Sequence, residues 1–324
     1  MEKSDVIEKT TICEPNAKIK KVTNKRLGGL QKDEIGLICL VIIPQIILTC
    51  ILYLYVNFDS LTLAFRNARG EWTTNTLRYA WGELTNFDSD LGVGIVNTTL
   101  FFVKNILMLF FQLFIAYFFY KKMKATHIFQ VILYLPTIIG SVATVSVFKY
   151  IIEPRGPIGE MLNLASIQMP HFLGKNGFEK FLFTSKASWT ILVYSVWVGW
   201  GADMLLFGGA FARIPVELLE AAKLDGINAM EEIVYLIFPL IWPTFSTLLI
   251  LNLTNILNAG GPVLLFDKYG TMDTWTVGYV MFYKVMMTKE YNLVSAMGLY
   301  LTIIIVPLVM GARKLIEKIP SVEY

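Results

Sequence analysis

Residues that build most catalytic and redox sites are scarce in this sequence. Its 324 residues include three cysteines and two histidines, and no Cys-x-x-Cys, His-Glu-x-x-His or Gly-x-Ser-x-Gly pattern occurs. This scarcity argues against a disulfide framework and a zinc site. The closest approach to a nucleotide-binding loop, Gly174-Lys175, has Met169 in place of the first glycine. We therefore expect no catalytic site in this chain and no ATP binding by such a loop.

An excess of charge of one sign is also missing. The 28 basic and 25 acidic residues leave a net charge of +3, which argues against nucleic acid as a partner. By contrast, hydrophobic residues make up 55% of the chain, and its mean hydropathy is +0.56. That composition is far more apolar than that of a soluble globular protein. The chain is predicted to be an integral membrane protein.

Six apolar segments are long enough to cross a bilayer, which requires about 20 residues. These segments lie near residues 35–56, 95–120, 128–152, 189–211, 233–257 and 293–310. Basic residues concentrate before the first segment, after the second and after the sixth. Because Lys and Arg favour the cytoplasmic side, both termini are predicted to be cytoplasmic.

The resulting prediction is an all-α, multi-pass protein of the cell membrane with about six transmembrane helices. Residues 1–34 form a cytoplasmic tail, residues 35–315 a transmembrane domain, and residues 316–324 a second cytoplasmic tail. Two features interrupt the apolar segments: Pro136 and Gly140 lie inside the third, and Lys104 lies about two turns inside the second. We favour an interpretation in which Lys104 extends its amine to the outer interface, over a functional buried charge.

A polar interruption at residues 212–232 separates the fourth and fifth segments and is predicted to be cytoplasmic. Pro215 suits the start of a helix and Gly226 suits the left-handed residue after its end, so residues 215–225 are predicted to be helical. Helical periodicity then places three residues on one apolar face: Leu218, Leu219 and Ala222.

The end of the interruption has its own signal, because Asn228 is followed three residues later by Glu231. This spacing is typical of a capping box that begins the next helix. On spacing alone, the whole stretch is at least as compatible with an ordinary capped cytoplasmic loop as with a functional element.

The residues themselves resemble a known signature. Glu220-Ala221-Ala222-x-x-x-Gly226, followed by Pro239, resembles the EAA signature of the membrane subunits of ATP-binding-cassette (ABC) importers. Leu236 and Phe238 depart from the broad pattern, which has Ile and Leu there, but both remain apolar. The resemblance covers roughly residues 35–315 and is strongest for the carbohydrate-uptake branch, including permeases of the maltose, oligosaccharide or polysaccharide type.

This resemblance implies a type I ABC importer permease fold and a coupling mechanism. In the family, the EAA loop docks on a cytoplasmic ATPase. The residues implied in ATPase coupling are Glu220, Ala221, Ala222, Asp225, Gly226 and Pro239. The implied partners are a second permease subunit, a cytoplasmic ATPase dimer, an extracellular solute-binding protein and membrane lipid. ATP and Mg would be bound by the ATPase, and this chain would need no cofactor.

A sugar path would require polar and aromatic side chains that face a cavity between spans. The candidates are Asn252 and Asn255 in the fifth segment and Trp200 and Asp203 in the fourth. An equal alternative is that the asparagines join spans by interhelical hydrogen bonds. Two other functions stay open: an ABC permease for a non-sugar solute, such as a peptide or phosphonate, and, more remotely, a channel or membrane enzyme.

Overall fold

The computed structural model describes residues 32–164, 173, 180–181, 184–258, 261–270 and 273–319. Most of the predicted tail 1–34 lies outside the described residues. So do residues 320–324 of the second tail and the Gly174-Lys175 pair with Met169.

Five described helices are long and apolar enough to cross a membrane. We call them the first, second, fourth, fifth and sixth spans: Leu40–Leu63, Asp90–Tyr120, Lys186–Phe211, Ala229–Thr254 and Tyr291–Ile316. They cover the corresponding predicted segments with shifts of a few residues at each end, as is usual for helix boundaries. Because the second span begins earlier than predicted, Lys104 lies 14 positions after its first residue, or about 21 Å along the helix, rather than two turns inside it. The prediction of an all-α membrane protein is confirmed.

The third predicted segment, residues 128–152, is not one regular helix, because Thr126–Ile138 and the helical stretch Ser141–Leu164 meet at a bend of 108°. Helix Thr126–Ile138 ends two residues after Pro136, and helix Ser141–Ile152 begins after Gly140. Pro136 lacks an N–H donor and crowds the preceding turn, and glycine is a poor helix former. The helix continues through Pro136, however, and the break lies at Ile139 and Gly140, next to the poor helix former. If this pair counts as one span, the number rises to six.

Three of the spans contain irregular turns. The first combines helices Lys32–Thr49 and Val56–Leu63 with a π-helical stretch, Cys50–Tyr55. The fourth consists of helices Lys186–Val198 and Gly201–Phe211. The fifth runs from Ala229–Glu231 through a π-helical stretch, Glu232–Ile237, into Phe238–Thr254. Pro239 follows that π-helical stretch, and its missing N–H favours such a local change of hydrogen-bond spacing.

Short elements connect the spans. Helix Asn75–Thr85 lies between the first and second spans, and helix Pro157–Leu164 follows the bent pair. Two antiparallel strands, Lys180–Phe181 and Thr184–Ser185, precede the fourth span. Between the fifth and sixth spans lie a 3-10 turn, two α-helices and a π-helical turn: Ile256–Asn258, Val263–Phe266, Val277–Tyr283 and Lys284–Thr288.

Buried apolar side chains from Asp59 onward form two clusters. One joins the N-terminal halves of the second, fourth and sixth spans to the segment between the fifth and sixth, and includes Phe101, Tyr194 and Trp275. The other joins the opposite ends of the second, fourth and fifth spans and includes Phe211 and Phe245. This second cluster continues into the polar interruption and therefore connects it to the bundle.

Residues up to Phe58 form a separate compact unit. Every described side chain from Leu40 to Phe58 is exposed, and nearly all of them are apolar. A helix that is apolar on all sides requires an apolar environment, either lipid or another membrane helix.

Candidate functional site

The polar interruption between the fourth and fifth spans folds as predicted into a short helix and a turn. The helix is Val216–Leu224, so it begins one residue later and ends one residue earlier than expected. Pro215 has extended backbone angles and precedes the first helical residue instead of occupying it. Gly226 has φ = +75°, which confirms the predicted left-handed position. We call Val216–Gly226, which comprises this helix and the turn after it, the coupling segment, after its predicted role.

The coupling segment contacts the bundle through a narrow stripe of buried side chains. Leu219 and Ala222 are each 8% exposed, and Leu219 packs in the cluster that contains Ile214 and Ile233. The prediction that Leu218 shares this face is wrong, since it is 36% exposed. Leu218 and Leu219 are turned by about 100° from each other about the helix axis, and the bundle covers Leu219 while it leaves Leu218 at the edge of the stripe. Two small contacts therefore seat the helix.

Most of the remaining predicted coupling residues are exposed on the surface. Glu220, Ala221, Asp225 and Gly226 are all exposed, and no ion pair holds either carboxylate within the described chain. Ala221 lies beside Glu220, so the surface around this carboxylate is shallow and allows close approach. Pro239 is apart from this surface, because it lies half-buried in the fifth span. It shapes the helix that follows the coupling segment.

A capping box fixes the turn from the coupling segment into the fifth span. The Asn228 side chain accepts hydrogen bonds from the backbone N–H groups of Met230 and Glu231, both at 3.0 Å. The Glu231 carboxylate accepts one from the Asn228 backbone at 2.9 Å. The predicted capping box is confirmed. It satisfies N–H groups that the first helical turn leaves free.

The sequence reasoning missed one buried ion pair beside this turn. Glu232, next to the capping box, is buried at 6% exposure, and its carboxylate lies 2.5 Å from the Lys121 amine. Lys121 follows the last residue of the second span and also lies over the Tyr117 ring, 5.5 Å from its centre. The only available signal was the apolar run that begins immediately after Glu232, where an acid would need a partner.

The path candidates on the fifth span fold back on their own helix. Asn252 donates to the Leu248 carbonyl at 3.0 Å, and Asn255 donates to the Leu251 carbonyl at 2.9 Å. Asn255 lies just past the last helical residue. Within the described residues, neither side chain makes the interhelical hydrogen bond of the alternative interpretation. Their carbonyl oxygens remain available to another group.

The path candidates on the fourth span lie at its break. Trp200 is the residue before helix Gly201–Phe211, and Asp203 lies in the first turn of that helix. Both are partly exposed. No hydrogen bond joins them to Asn252 or Asn255 in the part of the chain that the structure describes. The structure thus assigns the four candidates to two spans that pack against each other, with no hydrogen bond between the two pairs in the described residues.

Side chains from two other spans hold this break. Gln112 of the second span donates to the Gly199 carbonyl at 2.6 Å. Thr137, just before the bend of the third segment, donates to the Val198 carbonyl at 2.9 Å and accepts from the Gly201 N–H at 3.2 Å. A broken helix exposes backbone groups that an apolar environment cannot satisfy, so polar side chains replace the lost bonds. Glycines on both sides of Trp200 were the sequence signal for the break.

The segment between the fifth and sixth spans carries a buried polar cluster. The Tyr279 hydroxyl donates to the Asp267 carbonyl oxygen at 2.5 Å, and Thr274 donates to the Asp267 carboxylate at 2.9 Å. Burial raises the pKa of Tyr279 to about 12, and the negative charge of Asp267 adds to this effect. Asn97 of the second span donates to the Trp275 carbonyl at 2.7 Å and so ties this segment to the bundle.

This architecture is similar to that of solved membrane transporters. A bacterial ABC transporter involved in the import of the acidic polysaccharide alginate matches with a TM-score of 0.74 over 89% of this chain and 98% of that chain, at 20% identity. This chain has the fold of an ABC importer permease. A bacterial alginate ABC transporter in complex with an alginate pentasaccharide-bound periplasmic protein matches with a TM-score of 0.70, at 20% identity.

Sequence relatives agree with this fold. The probable ABC transporter permease YesP of Bacillus subtilis is 30% identical over 163 residues, which is 50% of each chain. The galactooligosaccharides permease GanP of Bacillus subtilis is 22% identical over 59% of this chain and 46% of its own. The sn-glycerol-3-phosphate permease UgpA of Yersinia pestis is 23% identical over 74% of this chain and 76% of its own.

The chain spans about half the length of the first curated relatives that it matches. No family model matches it. The resemblance inferred from the coupling segment is confirmed, since the relatives are ABC transporter permeases and several are named for carbohydrates. The chain is a multi-pass membrane protein, whereas the cytoplasmic placement of its termini stays a prediction.

Proposed function

We propose that this chain is the permease subunit of an ABC importer that carries an oligosaccharide across the cell membrane. The coupling segment carries the proposal: a helix seated by Leu219 and Ala222 presents Glu220, Ala221 and Asp225 between two spans. A separate cytoplasmic ATPase dimer binds ATP and Mg and docks on this face. The chain itself has a transport role and no enzymatic one.

The proposed coupling runs through contacts of this chain. Closure of the ATPase dimer displaces the coupling segment, whose buried stripe moves the lower ends of the second, fourth and fifth spans. The capping box at Asn228 and the Glu232–Lys121 ion pair make the turn stiff enough to transmit this displacement. The bundle then shifts between two states with access from opposite sides.

The other proposed partners follow from the same assignment. A second permease subunit completes the path, and an extracellular solute-binding protein delivers the sugar. Support comes from the alginate transporter, whose solved complex includes a sugar-bound periplasmic protein. Membrane lipid surrounds the assembly, and nucleic acid has no part in it.

Oligosaccharide is the proposed cargo because relatives are named for galactooligosaccharides, maltose or maltodextrin, and starch degradation products. Trp200, Asp203, Asn252 and Asn255 are the proposed path residues, since sugars offer hydroxyls to polar groups and C–H faces to aromatic rings. The UgpA relative supports a second candidate cargo, a polyol phosphate. A peptide or phosphonate cargo has no such support.

The test is Glu220→Lys in the purified complex, reconstituted in proteoliposomes with its binding protein. We expect the complex to assemble and ATPase activity to persist, while oligosaccharide uptake falls at least tenfold. Asp88→Lys is the matched control, because Asp88 is an exposed acid between the first and second spans. Unchanged uptake in Glu220→Lys, or an equal loss in Asp88→Lys, would contradict the proposed coupling role.

A further inference from the structure

A small pocket opens between the residues that follow the fifth span and helix Val277–Tyr283, and its volume is about 220 Å³. Pockets that hold drug-sized ligands measure about 300–1,000 Å³, so this one suits a single small ring. It lies at the end of the fifth span opposite the coupling segment. The backbone N–H of Asn258, a lining residue, donates to the Asn255 carbonyl at 2.9 Å. The pocket therefore adjoins a proposed path residue.

Two polar side chains in the lining have no hydrogen-bond partner within the described ranges. Thr276 is 3% exposed, and its hydroxyl bonds to no residue that the structure describes. The side-chain amide of Asn258 is likewise unpaired there. A buried hydroxyl without a hydrogen bond is unfavourable. Thr276 is therefore poised to bond to a polar group that enters the pocket.

Aromatic side chains and glycines complete the lining. Phe282 is 39% exposed, and Tyr279 lies beside it. Gly278 keeps the pocket open, since a Cβ atom there would lie 3.3 Å from the Leu257 carbonyl oxygen. A sugar ring offers hydroxyls to polar groups and C–H faces to aromatic rings. This mixture of side chains matches both needs.

The second span holds the wall that carries Thr276. The Val277 N–H donates to the Thr98 hydroxyl at 2.9 Å. A Cβ atom at Gly94 would lie 3.2 Å from the Thr276 carbonyl carbon, so the two backbones approach closely. A wall that is fixed in advance loses little freedom when a ligand binds. The hydroxyl of Thr276 is thus presented in a defined position.

The lining also selects by charge. None of its nine residues carries a charge at neutral pH. A carboxylate or phosphate that entered would give up water without gaining a countercharge, which is unfavourable. A neutral ring has no such requirement. The pocket therefore favours a neutral sugar unit over a uronic acid or a sugar phosphate.

We propose that this pocket is an outer subsite of the sugar path and that it takes one neutral ring of the cargo. The ring's hydroxyls bond to Thr276 and Asn258, and Phe282 packs against its C–H face. Its position next to Asn255 makes it the first subsite that the cargo meets on the way to the path residues in the membrane. The inference rests on the proposed function, which supplies an oligosaccharide as cargo.

Photoaffinity labelling of the whole complex tests the subsite. Maltotriose, galactotriose and the acidic trigalacturonate each carry a diazirine, and each is supplied with the solute-binding protein and ATP in proteoliposomes. Uptake of the unmodified sugars is measured in parallel. After irradiation, labelled peptides are identified by mass. We expect a neutral trisaccharide to be taken up and to label residues 257–282, and trigalacturonate to label them at least tenfold less.

Variants separate a binding role from a structural one. Thr276→Val keeps the shape but removes the hydroxyl, so labelling of residues 257–282 should fall at least fivefold, whereas Thr276→Ser should retain it. Phe282→Leu should also lower it. Phe87→Leu is the matched control, because Phe87 is 72% exposed between the first and second spans. Basal ATPase activity reports assembly in every variant. Wild-type labelling in Thr276→Val, or equal losses in Phe282→Leu and Phe87→Leu, would overturn the subsite.

The two proposals fail in different ways. If the wild-type complex takes up a neutral trisaccharide that labels only other residues, the subsite alone is overturned. Uptake of trigalacturonate without uptake of either neutral sugar would likewise overturn the neutral subsite and leave the transport role intact. If ATP drives uptake of none of the three, the proposed oligosaccharide function is overturned together with the subsite.

Discussion

The Lys121 amine lies 2.5 Å from the Glu232 carboxylate. This ion pair joins the residue after the second span to the start of the fifth span, which follows the coupling segment in the chain. The carboxylate is largely buried, with its side chain 8% exposed, whereas the lysine side chain is 28% exposed. Removal of the lysine would leave a buried charge without its partner, so the pair resists separation.

We expect Lys121→Met to destabilise the protein by about 3 kcal/mol, because Glu232 keeps its desolvation cost and loses its ion pair. The double variant Lys121→Met, Glu232→Met should recover most of this loss, since two apolar side chains replace both charges. Thermal unfolding in detergent measures both effects. If Lys121→Met unfolded at the same temperature as the wild-type protein, the Glu232 carboxylate would have to be well solvated.

The stripe that seats the coupling segment gives a matched pair of variants. Leu219→Ala removes a buried side chain and should cost about 2 kcal/mol, whereas Leu218→Ala alters an exposed one and should cost under about 0.5 kcal/mol. Hydrogen exchange of residues 216–226 should accelerate in Leu219→Ala alone. Equal exchange in both variants would argue against this stripe as the anchor.

The break in the fourth span depends on close approach between Gly201 and Thr137. A Cβ atom at Gly201 would lie 2.5 Å from the Thr137 hydroxyl oxygen, whereas one at Gly208 meets no atom within 4 Å. Gly201→Ala should therefore cost about 1–3 kcal/mol, and Gly208→Ala should be neutral or slightly stabilising. Unfolding midpoints compare the two. A destabilised Gly208→Ala would point to a contact from another subunit.

Two substitutions of Thr137 distinguish the contribution of its hydrogen bonds from that of its shape. Thr137→Val keeps the shape but loses the bonds to Val198 and Gly201, at a cost of about 1–2 kcal/mol, while Thr137→Ser keeps both bonds. If Trp200 lines the sugar path, Thr137→Val should raise the KM of uptake several-fold, with serine restoring it. Uptake kinetics in proteoliposomes decide this, and a KM unchanged by valine would remove Trp200 from the path.

Tyr279 should make stability depend on pH in the alkaline range. Its folded-state pKa of about 12 lies above the ordinary value of about 10, so the folded state holds the phenol proton more tightly. The stabilisation is complete below pH 10 and is lost as pH rises from about 10 to 12. The difference in melting temperature between wild type and Tyr279→Phe should shrink over that interval. A constant difference would mean that the hydroxyl ionises equally in both states.

Local signals predicted a large part of this architecture. Long apolar runs identified the spans, because a bilayer admits few alternatives to a helix of that length. Asn228 with Glu231, and Gly226 with its positive φ, were predictable because a cap and a left-handed turn depend on residues a few positions apart. Leu218 was misassigned because helical periodicity predicts which residues share a face, but not how much of that face the bundle covers. Pro136 and Gly140 were visible, but the size of the bend was not.

The sequence by itself determined that this chain crosses a membrane several times and that residues 212–232 form a capped polar turn with an ABC permease signature. Both follow from hydrophobicity and short-range hydrogen bonding. Only the tertiary structure decided that Glu232 pairs with Lys121, that Thr137 and Gln112 hold the break at Trp200, and that Asn97 ties the segment between the fifth and sixth spans to the bundle. These relations join residues 60 or more positions apart, and their energies depend on packing that no local pattern records.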